Sequence, residues 1–185
     1  MSGVLGAGLP EDDPGRGLVV ARPETDQTLP HIGIVGDTYT ILLDGADTAG
    51  RYCLIDMFVP PGGGPPPHRH DFEETFILLD GELEATFRGV TSTVRAGETV
   101  HVPANAPHQF HNGSLKAVRM LCICSPAGQE DFFKELGVVV GSRTASVPKL
   151  DAAGMAAFRA AAGKLAGKYK TELLGGACGW VTGSE

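Results

Sequence analysis

Short apolar stretches separated by clusters of Gly, Pro, Asp and Asn run along the chain from about residue 17 to about residue 125. Stretches of this kind are typical of β-strands that end at turns. Because no helical periodicity separates them, the pattern predicts an all-β fold, an antiparallel sandwich or barrel. The main strand candidates are TYTILLDG, RYCLIDMFVP, TFILLDG, ELEATFRG, TSTVRAG, ETVHVPA and KAVRMLCIC.

The segment LLDGELEATF contains two of these strand candidates, joined by Asp80-Gly81. An Asp-Gly pair between two alternating apolar stretches is a strong short-range signal for a hairpin turn. We therefore expect the two strands to pair directly with each other.

The last third of the chain changes to a helical pattern. GQEDFFKELG predicts a short helix that ends at Gly137, and a longer helix is expected from Asp151, as its N-cap, to about residue 174. One apolar stripe recurs at three- and four-residue steps along it, through Met155, Phe158, Ala162, Leu165 and Tyr169. This stripe must dock on the barrel or on a second subunit. The sequence leaves two roles for this stripe, packing on the core or forming a lid over the barrel mouth.

These patterns indicate one domain. Residues 1–16, rich in Gly, Pro and Asp, are expected to form a flexible arm, and residues 17–185 a single unit with the barrel ending near residue 127. A chain of 185 residues is long enough to bury one core.

Composition narrows the function classes. The net charge of -7 argues against a broad nucleic-acid surface, and no apolar run approaches the length of a membrane span. The N-terminus lacks the pattern of a secretory signal, so a cytoplasmic location is expected.

The four cysteines are Cys53, Cys122, Cys124 and Cys178, and without export signals they do not indicate a disulfide framework. The C-x-C of MLCIC could bind a soft metal ion. We prefer the interpretation that both thiols lie on one face of an apolar strand as small hydrophobic side chains.

The segment GGGPPPHRHDFEETFILLDG carries the most informative chemistry. His68 and His70 are two residues apart, so an extended backbone points both imidazoles the same way. Glu74 lies an even number of residues from His68 and His70, so an extended chain places it on their face, whereas Glu73 should face away. A second segment, GETVHVPANAPHQFHN, offers His108 and His111, of which only one can face inward. Three nitrogens and one oxygen suit Fe, Mn, Co, Ni, Cu or Zn in the divalent state.

The two segments resemble the paired motifs of the cupin superfamily. The first motif is matched by Gly62, His68, His70, Glu74 and Gly81, and the second by Gly97, Pro103, His108 and Asn112. Asn105 stands where the family has Gly, at a left-handed turn that Asn tolerates.

The resemblance implies a jelly-roll β-barrel with a C-terminal helical extension, and one divalent metal ion on His68, His70, Glu74 and His108. It leaves His111 for a surface role or a role behind the ligands. It also implies a homodimer, since dimers are common in the family. The isolated His31 and His101 are expected to be structural.

Aromatic residues share the parity of the ligands. Phe72, Phe76 and Phe110 are expected to make the barrel interior apolar, and Phe132 to close its mouth next to Phe133. Such a pocket suits a flat, weakly charged molecule, although each of these side chains could equally fill the core.

The run VPPGGGPPPHRHDFEETFILLDGELEATF resembles bacterial single-domain cupins that are similar to quercetin 2,3-dioxygenase. The reaction implied is the opening of the central ring of a flavonol by O2 with release of carbon monoxide, with Glu74 as the catalytic base. Two alternatives remain: another metal-dependent cupin enzyme, such as an isomerase or a dioxygenase for another small molecule, and a non-catalytic small-molecule binder.

Overall fold

The computed structural model describes residues 8–175, which form two antiparallel sheets and two α-helices. In chain order the elements are β1 (His31–Ile34), β2 (Asp37–Leu43), β3 (Cys53–Val59), β4 (His68–His70), β5 (Glu73–Asp80), β6 (Glu82–Phe87), β7 (Val90–Arg95), β8 (Thr99–Val102), β9 (His108–His111), β10 (Val118–Ser125), α1 (Gln129–Leu136), β11 (Val138–Val139), α2 (Ala152–Ala166) and β12 (Thr171–Leu173). The first sheet has the order β11-β1-β2-β3-β10-β5-β8 and the second the order β12-β4-β9-β6-β7. The predicted all-β class is confirmed.

Alternation along the strands builds the core. In β10, every second side chain from Val118 to Cys124 is buried, while those between are partly exposed. Met120 and Leu78, from neighbouring strands of the first sheet, lie between the two sheets with almost no exposed area. Phe110 and Leu83 face them from the second sheet. The core is therefore the space between the sheets, as the two-residue period requires.

The prediction of a hairpin at Asp80-Gly81 is wrong. β5 pairs with β10 and β8 in the first sheet, whereas β6 pairs with β7 and β9 in the second. The chain crosses between the sheets at Gly81, whose φ of 81° lies in the left-handed region. β5 and β6 each have one apolar face. Because the chain crosses between the sheets, these two faces pack in the same core although the strands do not pair with each other.

The short helix is confirmed as α1, which ends at Gly137 where the Gly137 amide donates to the carbonyl of Phe133. Its Phe132 and Phe133 side chains are buried in the core. The N-cap at Asp151 is also confirmed, since its carboxylate accepts a 2.7 Å hydrogen bond from the Gly154 amide.

The longer helix is shorter than predicted. α2 ends at Ala166, a 3-10 turn covers Gly167–Tyr169, and Lys170 adopts a left-handed φ of 53°. Residues 171–173 then pair antiparallel with β4 instead of continuing the helix. The physical reason is that β4 would otherwise be an edge strand with unpaired backbone groups, which β12 satisfies. The barrel therefore extends past residue 127.

The stripe of α2 docks on the chain itself. Met155 and Ala162 are buried, and Phe158, Leu165 and Tyr169 pack against the core cluster. Residues 8–16 contain no helix or strand and are exposed. Within residues 8–175, no helix is both long and apolar enough to cross a membrane.

The glycines before β4 set its distance from β9. The Gly62 amide donates to the Asn112 carbonyl at 2.7 Å, and the Asn112 amide donates to Gly63 at 3.0 Å. Gly64 has a φ of 123°, and a Cβ there would overlap the carbonyl oxygen of Phe110. Only glycine permits this close approach of the two backbones.

We expect Gly64→Ala to lower the free energy of unfolding by about 3 kcal/mol or more. The strain of alanine at a positive φ adds to the cost of the overlap between its Cβ and the backbone of Phe110. Gly97→Ala is the matched control, since Gly97 also has a positive φ of 89° but a Cβ there meets no atom within 4 Å. It should cost about 1 kcal/mol. Denaturant unfolding of both variants measures the difference, and equal losses would contradict the close-approach explanation.

Candidate metal centre

The two sheets contribute different ligands to one point. His68 and His70 lie on β4, and His108 lies on β9 directly opposite His68, all in the second sheet. Glu74 comes from β5 in the first sheet. All four side chains are buried, and one ligand atom from each lies within 4.8 Å of the others. Neighbouring Glu73 is exposed, in agreement with the predicted alternation.

Backbone carbonyls orient the three imidazoles. The Nδ1 atom of each histidine lies 2.9 Å from a backbone carbonyl: that of Pro66 for His68, Phe72 for His70 and Ala106 for His108. A carbonyl only accepts, so each Nδ1 carries the hydrogen and donates. The Nε2 lone pairs are therefore left to face the centre, which is the tautomer that metal ligation needs.

The spacing of the inward atoms fits a metal ion. The Oε2 atom of Glu74 lies 3.0 Å from Nε2 of His70 and 3.1 Å from Nε2 of His108. Two electron-rich atoms at this distance repel unless a proton or a cation lies between them. Ligand atoms at right angles around an ion with bonds of about 2.1 Å would lie about 3.0 Å apart. The described residues thus form a buried three-histidine, one-glutamate group suited to one metal ion.

The electrostatics of the group differ between its members: burial alone would lower the pKa of His108, but the Glu74 carboxylate outweighs it and holds that pKa above its ordinary value. Burial lowers the pKa of His68 to about 4, so its imidazole is neutral at physiological pH. Burial alone would raise the pKa of Glu74, but the neighbouring imidazoles of His108 and His70 outweigh it and hold that pKa well below its ordinary value. Glu74 is therefore a carboxylate.

The left-handed turn predicted at Asn105 is confirmed, with φ of 66°. The Asn105 amide donates to the carbonyl of His70 at 2.7 Å, and its side chain donates to Asp71 at 3.2 Å. These hydrogen bonds connect the segment before His108 to β4. Asn105 of the second motif therefore supports the strand that carries two ligands of the first motif.

An apolar cavity of about 50 Å³ lies beside His68 and Glu74. The predicted pocket residues Phe76, Phe110 and Phe132 are part of its wall. Phe133, expected beside Phe132, lies there too, and Tyr39, which was not predicted, could have been found from the alternation of TYTILLDG. The remaining lining residues are Ile34, Met57, Pro65, Pro66, Gln129, Leu136, Thr171 and Leu173.

Phe72 does not lie in this wall, contrary to the expectation from parity. Its ring stacks on the His70 ring at a centroid distance of 3.7 Å and an interplanar angle of 3°. It borders a separate surface depression near Lys168 and Tyr169. The chain turns between β4 and β5 at residues 71 and 72, so strand parity does not carry through them. Phe72 supports a ligand ring from behind.

The other histidines lie outside the group. His31 is buried and its Nδ1 lies 2.7 Å from the Thr40 hydroxyl, a structural contact. His101 is exposed and its Nε2 lies 3.1 Å from the carboxylate of Glu73. His111 is half-buried on β9, on the face opposite to that of His108.

The thiols of Cys122 and Cys124 are buried on one face of β10, as predicted, and both lie close to Glu74. Burial raises the pKa of Cys122 to about 12, so this thiol is protonated. Cys178 lies outside the described residues.

A buried acid contacts Tyr39 of the cavity wall. Asp37 is almost fully buried, and its Oδ2 accepts a 3.0 Å hydrogen bond from the Tyr39 hydroxyl. Burial raises the pKa of Asp37 from 3.8 to about 7. Its carboxyl therefore titrates near neutral pH, next to a wall residue of the metal cavity.

Part of the chain matches a known domain family. Residues 55–124 match the family model described as Cupin domain. The chain is 28% identical over 106 residues to quercetin 2,3-dioxygenase of Bacillus subtilis, a match that covers 56% of this chain and 31% of that protein. An uncharacterized protein of Methanocaldococcus jannaschii is 28% identical over 118 residues, covering 62% of this chain and 94% of that protein.

Among solved structures, a predicted oxalate decarboxylase from Thermotoga maritima superposes with a TM-score of 0.51 at 20% identity, covering 58% of this chain and 99% of that one. This likeness is one of fold. The chain spans less than a third of the length of the Bacillus enzyme.

We expect His70→Ala to weaken Co²⁺ or Ni²⁺ binding by about 100-fold or more, since even residues behind metal ligands contribute 10- to 100-fold. His101→Ala is the control, because its imidazole is exposed on β8. Calorimetric titration of chelator-treated protein measures both affinities. Unchanged affinity in His70→Ala would show that the ion does not bind here.

The Asp37 carboxyl should make stability depend on pH. Because its folded pKa of about 7 exceeds the unfolded value of 3.8, the folded protein keeps a proton that the unfolded chain has released. The stability from this group is present at low pH and is lost as the pH rises through about 7. Between about pH 5 and pH 8 we expect the wild type to lose on the order of 3 kcal/mol relative to Asp37→Asn. Urea unfolding across this range checks it, with exposed Asp80→Asn as the control; parallel curves for wild type and Asp37→Asn would contradict it.

Proposed function

We propose a function for this chain from the premise that it contains a cupin domain, folded as a jelly-roll barrel with a C-terminal helical extension. It is a metal-dependent dioxygenase that opens the central ring of a flavonol such as quercetin with O2 and releases carbon monoxide. His68, His70, Glu74 and His108 hold one divalent ion, which is Ni, Mn, Fe, Co or Cu.

The observation that carries this proposal is that the three-histidine, one-glutamate group lies beside an aromatic cavity. Among the described residues that line the cavity there is no Lys or Arg, so a phosphorylated or strongly anionic substrate has no counter-charge there. Phe76 and Phe110 meet edge to face with centroids 5.4 Å apart, which offers flat apolar surfaces beside the ligands. A weakly charged aromatic molecule fits these walls.

The ligand chemistry supports a proton transfer at the same point. A divalent transition ion, when bound, would supply Lewis acidity and a template for a hydroxyl group and dioxygen. The three imidazoles are held by backbone carbonyls and do not need to reorient. Glu74 is a buried, ionised carboxylate, and its Oε2 faces the centre. It accepts the proton of the flavonol hydroxyl, which makes the central ring electron-rich for attack by O2.

Substrate entry requires the cavity to widen. Its volume of about 50 Å³ is well below the roughly 300 Å³ of a pocket that encloses a drug-sized ligand. Phe132 of α1 forms the outer wall and packs on Tyr169, with ring centroids 5.6 Å apart. We propose that the contact between α1 and the turn after α2 separates to admit the flavonol.

A second candidate follows from the same volume. A smaller enol or hydroxylated molecule would enter with less displacement of the wall, which favours another cupin enzyme, such as an isomerase or a different dioxygenase. A non-catalytic binder would use the same cavity.

The first experiment is oxygen uptake with quercetin by protein reconstituted separately with Ni, Mn, Fe, Co or Cu. We expect metal-dependent uptake together with loss of the visible absorbance of the flavonol and formation of carbon monoxide. No uptake by protein shown to be fully loaded would reject the flavonol dioxygenase. Turnover of a small enol would establish the second candidate, as an isomerase if it proceeds without oxygen and as a different dioxygenase if it consumes oxygen.

Glu74→Gln separates the two roles of the carboxylate. The amide oxygen can still contact the ion but cannot accept the proton, so we expect turnover to fall about 100-fold or more. We expect metal affinity to fall less, by about tenfold. Exposed Glu73→Gln is the matched control, because it makes the same chemical change one residue away on the outer face of β5. Equal loss of turnover and of metal affinity would contradict the role as base.

A further inference from the structure

Two thiols stand behind the glutamate ligand. Cys122 and Cys124 lie on one face of β10, the strand next to β5, and Cys124 is directly opposite Glu74 in the register. Both are fully buried. The proposed function uses neither of them, although they contact its central carboxylate.

The carboxylate of Glu74 is divided between two kinds of partner. Its Oε2 faces the imidazoles, 3.0 Å from His70 and 3.1 Å from His108. Its Oε1 faces the thiols and accepts a hydrogen bond from Cys122 at 3.2 Å, with the sulfur of Cys124 at 3.7 Å. The two oxygens therefore have distinct surroundings on opposite sides of the group.

The side chain of glutamate does not impose this division by itself. Its terminal torsion is broad and roughly two-fold, so the carboxylate can rotate unless something holds it. A freely rotating carboxylate can bind a cation through one oxygen or through both. A buried donor on one oxygen removes this freedom, because rotation would leave the hydrogen bond broken away from water.

We propose that Cys122 is a positioning residue, whose thiol holds Oε1 of Glu74 so that only Oε2 faces the metal ion. The inference rests on the proposed metal site and adds to it a reason why the glutamate binds through a single oxygen. When an ion is bound there, this arrangement would leave a coordination position for substrate. Cys124 lies farther from Oε1 and helps less, mainly by packing beside Cys122 with the two sulfurs 3.5 Å apart.

The test compares two substitutions at Cys122 with one at Cys53. Cys122→Ala removes the donor, whereas Cys122→Ser keeps a hydrogen-bond donor at the same position. Cys53→Ala is the matched control, because Cys53 is equally buried and lies on the neighbouring strand β3, opposite Cys124. Each protein is confirmed as folded by circular dichroism, loaded with Co²⁺ alone, and measured by visible absorption and by competition with a chelator.

We expect Cys122→Ala to change the ligand-field bands of Co²⁺ and to weaken Co²⁺ binding about tenfold, the scale for a residue behind a metal ligand. Cys122→Ser and Cys53→Ala should keep the wild-type bands and bind within about threefold of wild type. A purely structural role would make Cys122→Ala and Cys53→Ala behave alike, and would leave the Co²⁺ bands unchanged.

Three results would overturn the inference. Wild-type bands and affinity in Cys122→Ala would show that the thiol does not position Glu74. A thiolate-to-cobalt charge-transfer band that disappears in Cys122→Ser would make Cys122 a ligand instead. Absence of Co²⁺ binding by the wild type would reject the metal site itself, and the inference with it, which distinguishes that failure from the other two.

Discussion

The buried carboxylate of Glu74 is the constraint on which the rest of the structure depends. An ionised group with almost no access to water is costly unless its partners compensate it; here the imidazoles come from the opposite sheet and the thiol from the neighbouring strand β10. His70 and His108 approach Oε2 while Cys122 approaches Oε1. The two layers of the barrel are therefore joined by a polar contact in the middle of an apolar core. A cation at this point would satisfy the carboxylate and the imidazoles together.

The surrounding backbone is arranged to hold that contact. Each imidazole donates to a carbonyl two residues away in sequence, so that its orientation is set by local chain geometry. The approach of Gly64 to the backbone at Phe110 brings β4 close to β9. β12 then pairs along the free edge of β4 and covers the strand that carries two ligands. The C-terminal segment thus belongs to the barrel and supports the site.

The cavity beside the group combines an apolar wall with a small volume, and these two properties bear differently on function. The wall of Phe76, Phe110 and Phe132 favours a weakly charged aromatic molecule. On the proposed function, α1 and the turn after α2 would separate before such a molecule enters. The choice between a flavonol and a smaller substrate is therefore a question about the contact between Phe132 and Tyr169, which lies outside the ligand set.

Much of the site could be predicted from the sequence, because it depends on local geometry. The two-residue period of a strand determined that Glu74 is inside and Glu73 outside, and it placed Cys122 and Cys124 on one buried face. The left-handed turn at Asn105 and the end of α1 at Gly137 were local properties of the same kind. The spacing of the histidines, with the resemblance in motif, was enough to select the ligand set that the structure brings together.

The tertiary structure decided what depends on partners distant in sequence. Asp80-Gly81 has the local chemistry of a hairpin, yet the strands on either side belong to different sheets, because burial of their apolar faces outweighs turn preference. Residues 171–173 are helical by pattern but become a strand, since the edge of β4 offers backbone partners. Phe72 shares the ligand parity but stacks behind His70, since the turn between β4 and β5 breaks the alternation. The cavity volume and the thiols at Oε1 likewise arise from side-chain packing across strands, which a linear pattern does not encode.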